Sequence, residues 1–332
     1  MRCLALAQAW QDSDGKAVLA MADPLPSVRE RLLAEGIDVI SVDAQPGSCD
    51  DARYVAELAG QRGAAWVVVD GYHFDADYQQ ELKAAQLQVL FVDDHGRAGH
   101  YAADLVLNQN ANADESFYPN REPYTRLLLG SRYVMLRREF ESWRPWRREI
   151  PEVGRKILIT MGGSDPDNIT LRAVEALTQA NIEGLETTVV VGGSNPHVEL
   201  LEHRISAGGR FVRLQRNAAH MPELMAWADL ALIAAGGTLW ELLFMGCPVL
   251  SYARDPAQDE IISELGWQGV VQNLGHPQKF DPVSLGAAIM ELARSPERRS
   301  QMSAMGRERV DGRGAGRICE HLINHEIRNL AR

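Results

Sequence analysis

The stretch Leu230-Ala231-Leu232-Ile233-Ala234-Ala235-Gly236-Gly237-Thr238-Leu239-Trp240-Glu241 constrains the fold more than any other part of this chain. Its opening residues are apolar without alternation, the pattern of a strand buried on both faces of a parallel sheet. Leu242-Leu243-Phe244-Met245 then reads as the core face of a helix. A strand, two glycines and a helix start make an anion site. The glycines let a ligand approach the backbone, and the free N–H groups and dipole of the helix favour phosphate. Glu241 follows about one turn into the helix, where a carboxylate can accept hydrogen bonds from sugar hydroxyls. A nucleotide ligand is the expectation.

Two further turns of this kind lie upstream. Lys156 to Thr160 reads as a strand, followed by Met161-Gly162-Gly163-Ser164-Asp165 and a helix from about Asn168. Thr187 to Val191 reads as a strand, followed by Gly192-Gly193-Ser194-Asn195 and another helix. Phe211-Val212 is expected to be a short strand, Met221 to Trp227 a helix, Pro248 to Ser251 a strand and Glu260 to Leu265 a helix. From about Pro282 the chain reads as helices to its end. In a doubly wound sheet the strand-to-helix turns share the carboxyl edge, where ligands bind.

The first half shows the same alternation without the glycine pairs. Strands are expected at Ala17 to Met21, Val39 to Val42, Trp66 to Val69 and Val89 to Val92, with helices over Ser27 to Ala34, Ala52 to Gln61 and Tyr78 to Ala85. Between the halves, Arg132 to Gly154 carries Arg137, Arg138, Arg144, Arg147 and Arg148 with Trp143 and Trp146. Arginine stems covering tryptophans at a domain junction account for that mixture. Two domains follow, 1–145 and 146–332.

Composition narrows the ligand class. The chain has 332 residues, 45% hydrophobic and 24% charged, a globular profile. Its net charge of -11 argues against a nucleic-acid surface. A small anion is still compatible, because backbone amides bind phosphate inside an acidic protein. No apolar run is long enough to span a bilayer, and no secretory signal is visible. Cys3, Cys49, Cys247 and Cys319 have no paired spacing and read as free thiols rather than a disulfide or metal set. The expectation is a cytoplasmic monomer with no cofactor and no metal.

The three glycine-rich segments, Met161 to Pro166, Val191 to Pro196 and Gly236 to Glu241, resemble the UDP-sugar hydrolases of pseudaminic acid biosynthesis. So do Asp70-Gly71-Tyr72, Asp93-Asp94, His100 to Asp104, Asn108-Gln109-Asn110 and Leu129 to Tyr133, so the resemblance covers nearly the whole chain. Such enzymes convert UDP-2,4-diacetamido-2,4,6-trideoxy-β-L-altropyranose to UDP and the free sugar. They are related to spore-coat polysaccharide proteins and, more distantly, to the glucosaminyltransferase of peptidoglycan synthesis. The resemblance implies an α/β fold of the GT-B type, two Rossmann-like doubly wound domains facing across a cleft.

It also implies a UDP-binding second half. Glu241 would hold the ribose hydroxyls, and the amides at Gly236, Gly237 and Thr238 the diphosphate. Gly163, Ser164, Gly193 and Ser194 would line the site from the other turns, and Arg216 to Met221 would lie against uracil. Gln258 would contact the substrate, while Tyr72 and Asn108 would face the sugar from the first half.

Two departures matter. Family members begin with a strand and a Gly-x-Gly-His-x-Met-Arg-Cys-Leu turn whose histidine is the catalytic base. Met1-Arg2-Cys3-Leu4 aligns with the end of that motif, so the first strand of the N-terminal domain and the histidine are expected to be missing. An internal methionine taken as the start explains this, as does a catalytically silent homologue that binds UDP-sugar without turnover. The catalytic base is therefore unassigned, with Tyr72 and His100 as candidates, and His100 fits a structural role equally well. Second, Ala257-Gln258 stands where the family has Asn-Gln. Hydrolase, GT-B glycosyltransferase and silent homologue all stay open.

Overall fold

The computed structural model describes residues 1–179, 183–208, 212–279 and 281–330. The chain forms two compact units, one of Met1–Arg138 with the segment from Gly312 onward (unit 1), the other of Glu139–Asp311 (unit 2).

Unit 1 begins with α1 (Arg2–Gln11), β1 (Val18–Met21), α2 (Pro26–Ala34), β2 (Asp38–Ser41) and α3 (Cys49–Arg62). It continues through β3 (Trp66–Asp70), α4 (Ala76–Ala84), β4 (Gln88–Val92), β5 (Leu105–Asn108) and β6 (Arg126–Leu129). Unit 2 carries β7 (Lys156–Thr160), α5 (Ile169–Gln179), β8 (Glu186–Val191), α6 (Val198–Gly208), β9 (Val212–Arg216) and α7 (Met221–Trp227). Then follow β10 (Leu230–Ala234), α8 (Gly237–Phe244), β11 (Val249–Tyr252), α9 (Pro256–Trp267), β12 (Gln272–Asn273), α10 (Pro282–Ala293) and α11 (Pro296–Arg309). The chain closes with α12 (Gly314–Leu330), which belongs to unit 1.

Unit 2 is built on one continuous parallel sheet of order β9-β8-β7-β10-β11-β12. The order reverses between β7 and β10, the switch point of a doubly wound sheet. Ile157, Ile159, Val189, Leu230 and Leu232 are fully buried. They share one cluster with Ala173 and Leu177 of α5 and Leu285 and Ile289 of α10. Punctuation is local: Asp255 caps α9 and Asp281 caps α10, each followed by proline at the first helical position.

The sheet of unit 1 is in two pieces, β1-β2 and β3-β4-β5-β6, all pairs parallel. Helix α1 serves both. Leu4 and Ala7 pack with Leu32, Ile37 and Val39 beside the small sheet. Ala5 and Leu6 pack with Leu90, Val92 and Leu105 of the larger one. On the larger sheet Val69, Val89 and Phe91 point to the opposite face, against Ala52 of α3 and Tyr78 and Leu82 of α4. Among the described residues β1 and β3 each keep one unpaired edge. Val18 at 36% and Val68 at 37% exposure are open there, whereas the strands at the centre of the unit 2 sheet are closed.

The structure differs from the sequence reading at several places. The division falls at Arg138 rather than 145, and α12 joins unit 1 rather than the second half. Arg138 is tied back to α1, its amide donating to Gln8 Oε1 at 2.9 Å and its guanidinium to Gln8 O at 3.0 Å. Phe140 instead meets Phe244 of α8, edge to face at 6.1 Å. Helix α12 returns because Ile318, Cys319 and Leu322 complete the core over β4 and β5. Strands β5 and β6 are not announced by helix alternation, because only a short 3₁₀ segment and loops join them. Strand β9 runs on from Val212 to Arg216, while Phe211 lies outside the described residues.

Of the junction arginines, Arg148 is the one shown over a tryptophan ring among the described residues. Trp143 and Trp146 meet edge to face at 5.6 Å, and Arg148 lies 5.1 Å over the Trp146 ring. Its guanidinium also donates to Met225 O at 2.6 Å, Gly246 O at 2.9 Å and Ala228 O. One cation thus satisfies carbonyls at the carboxyl ends of both α7 and α8.

Candidate functional site at the carboxyl edge of unit 2

Three turns gather at the carboxyl ends of β7, β8 and β10. The first two touch: a Cβ on Gly192 would lie 2.5 Å from Gly163 Cα, so only glycine permits this approach. His197 Nε2 also lies 3.1 Å from Pro166 O, linking the same two turns. Gly193 is exposed and backs onto Asn217 of the loop after β9. Ser164 is half-buried and Ser194 exposed.

The helix starts differ in what their amides already do. Asp165 is buried and accepts from Ile169 N at 2.9 Å and Thr170 N at 3.0 Å, so α5 is capped by its own carboxylate. Asn195 Oδ1 likewise accepts from His197 N at 2.8 Å. Helix α8 has Gly236 at its N-cap and no side-chain cap, and no acidic residue sits in its first turn. Gly236 and Gly237 are exposed, with open space where a Cβ would stand. Gly236 has an extended φ of 175°, which any residue adopts, so torsion does not demand glycine there. Open access to the Gly237 and Thr238 amides is what it supplies. An anion at this point meets uncapped amides and the positive end of the helix dipole. Glu241 lies four residues after Gly237, on the same helix face, and is half-buried.

The other expected residues are placed as follows. Met221 is buried at the first position of α7. Gln258 closes the loop after β11, its Oε1 accepting from Arg254 N at 3.1 Å. In unit 1, Tyr72 is 75% exposed and stacks on His95 at 5.7 Å. Asn108 is fully buried. Its Nδ2 donates to the Tyr118 hydroxyl at 2.9 Å and its Oδ1 accepts from Asn110 N at 2.9 Å, so its amide already holds protein groups. His100 Nε2 lies 3.0 Å from Glu122 Oε1, on the segment that returns from β4 to β5. Asp93 accepts from the amides of His95, Gly96 and Arg97 and from the Tyr101 hydroxyl, which makes it the organiser of its loop.

One cluster at the carboxyl edge of unit 1 was not singled out from sequence. Arg2, at the start of α1, donates to both Asp70 oxygens at 2.6 and 3.0 Å and to Asp94 Oδ2 at 2.6 Å. The Cys3 thiol donates to Asp70 at 2.9 Å. Burial opposes the charge on Asp70, but the Arg2 hydrogen bonds and charge, then the Cys3 thiol, outweigh it and hold the carboxyl below its usual range. Burial and the Asp70 charge push the Cys3 thiol up, so it stays protonated. Acidic residues ending two neighbouring strands, with an arginine opening a helix, were the available signal.

With this geometry, the comparisons define a class. Solved structures that match nearly the whole chain include MurG of Acinetobacter baumannii (TM-score 0.67, 14% identical, 97% of this chain and 95% of that one). HepE of Anabaena, in complex with UDP and glucose, matches with a TM-score of 0.59 at 14% identity over 97% and 94%. The fold is therefore of the GT-B type, with two Rossmann-like units. In sequence, the chain is 27% identical over 243 residues to the spore coat polysaccharide biosynthesis protein SpsG of Bacillus subtilis, covering 72% of this chain and 70% of SpsG. It is 26% identical over 200 residues to an uncharacterized protein of Methanocaldococcus jannaschii, 58% of this chain but only 41% of that protein. No family model matches. Among the described residues, no helix is long and apolar enough to cross a membrane.

Proposed function

We propose that unit 2 binds the UDP moiety of a UDP-linked amino sugar and that the protein hydrolyses it, of the type UDP-2,4-diacetamido-2,4,6-trideoxyhexose. The observation that supports this best is the uncapped start of α8 behind two open glycines, with Glu241 one turn further on. In this reading the Gly237 and Thr238 amides receive the diphosphate and Glu241 accepts from the ribose hydroxyls. Water attacks the anomeric carbon, the bond from that carbon to the phosphate oxygen breaks, and UDP leaves with the bonding pair. The amides stabilise the charge that develops on the departing phosphate. The proton of the attacking water goes to a base. Tyr72 and His100 are the candidates named from sequence.

Two measurements test the reading. Calorimetry should show UDP binding that weakens by about 1–3 kcal/mol in Glu241→Ala, the range for hydrogen bonds to a charged group. Equal affinity for both proteins would remove Glu241 from the site. UDP release from the sugar nucleotide without any acceptor defines a hydrolase. Release only with an acceptor hydroxyl defines a glycosyltransferase, and binding without release a silent homologue.

A further inference from the structure

We propose that Arg254 is a phosphate-binding residue, the cation that meets the terminal phosphate of the nucleotide diphosphate; this deepens the UDP reading above and rests on it. Arg254 follows β11 by two residues and so stands at the same edge as the three glycine-rich turns. A Cβ on Gly162 would lie 4.0 Å from Arg254 Nη2, which puts the guanidinium against the first of those turns.

Its backbone is fixed on both sides. The Arg254 amide donates to Gln258 Oε1 at 3.1 Å, and its carbonyl lies 3.1 Å from His276 Nε2. The preceding Ala253 amide donates to Gly275 O at 3.0 Å. Its side chain, by contrast, is half-buried and has no carboxylate or carbonyl partner among the described residues. Five other arginines of unit 2 are engaged. Arg148, Arg299 and Arg307 donate to carbonyls, and Arg216 and Arg298 pair with Glu202 and Glu291.

A half-buried guanidinium without an anion is unfavourable, the more so in a chain of net charge -11 that offers many carboxylates. A second donor is unspent nearby. Asn195 Nδ2, in the turn packed on the Gly162-Gly163 turn, is buried and without an acceptor. Arginine presents a planar fork suited to two phosphate oxygens, and its charge persists as the phosphate leaves. The amides of α8 supply partial charge; Arg254 adds a full one.

The test compares UDP and uridine binding to the wild type, Arg254→Gln and Arg254→Lys. Calorimetry reads UDP and ligand-observed magnetic resonance reads uridine. Arg254→Gln should weaken UDP about tenfold or more while leaving uridine unchanged, and Arg254→Lys should recover part of the loss. An equal loss for uridine and UDP would make Arg254 a loop-positioning residue, and unchanged UDP affinity would remove it from the site; either overturns the proposal. If the wild type binds neither ligand, the UDP reading itself fails and takes this one with it.

Discussion

The two units start from the same strand-and-helix grammar and end with different sheets. In unit 2 every strand from β9 to β12 has its neighbour, and the switch point between β7 and β10 lies inside a continuous ladder. In unit 1 the ladder is split into β1-β2 and β3-β4-β5-β6, and α1 with its buried Leu4, Ala5 and Leu6 packs on both pieces. A parallel sheet draws stability from both its ladder and the helices over its faces. Unit 2 has both throughout, whereas unit 1 relies on packing alone at one place.

Hydrogen exchange gives the largest contrast. Amides of β7 and β10 should exchange only on global unfolding, and those of β1 should open locally, roughly 10²–10⁴-fold faster. Equal protection would mean that packing by α1 substitutes fully for the ladder.

Side-chain truncation should follow the same division. Leu232→Ala, in a fully buried strand of unit 2, should destabilise by about 2–5 kcal/mol in denaturant unfolding. Leu19→Ala, in the half-buried β1, should lose roughly 1 kcal/mol. Similar losses would show that β1 is closed in solution.

An effect with a pH signature should appear at Arg2. Arg2→Gln leaves Asp70 partly buried with its main partner gone, and should destabilise unit 1 by about 2–3 kcal/mol at neutral pH. Asp70 is held below its usual range, so its contribution is complete above about pH 4, the unfolded value. It is lost as pH falls through the lower folded value, and there the variant and wild-type curves should converge. A difference that persists in strong acid would assign the loss to packing of the Arg2 stem.

The sequence carried most of unit 2, since β7, β8 and β10 hold the apolar runs Ile157 to Ile159, Val189 to Val191 and Leu230 to Ala234, and a glycine pair follows each strand. Unit 1 was less legible. Strands β5 and β6 are four residues each with no helix between them, so no period marks them. The return of α12 depends on Ile318 and Leu322 meeting Leu90 and Leu105 far away in sequence. In the candidate site, Gly236, Gly237, Thr238 and Glu241 were visible because chemistry and spacing coincide within one helical turn. Asn108 was visible too, but its amide is committed to Tyr118 and Asn110, a fact that only folding reveals. Arg254 gave no signal, because an isolated arginine in a loop is unremarkable until its guanidinium proves to lie against the Gly162 turn.

The return of α12 also sets an order of events on the ribosome. Unit 2 is contiguous and is synthesised before α12. The larger part of unit 1 is made before unit 2 but lacks the cover supplied by Ile318, Cys319 and Leu322 until α12 follows. The apolar face over Leu90, Val92 and Leu105 must wait, exposed to chaperones and to neighbouring nascent chains, through some 170 further residues (139–311). The unit made first is thus the one finished last.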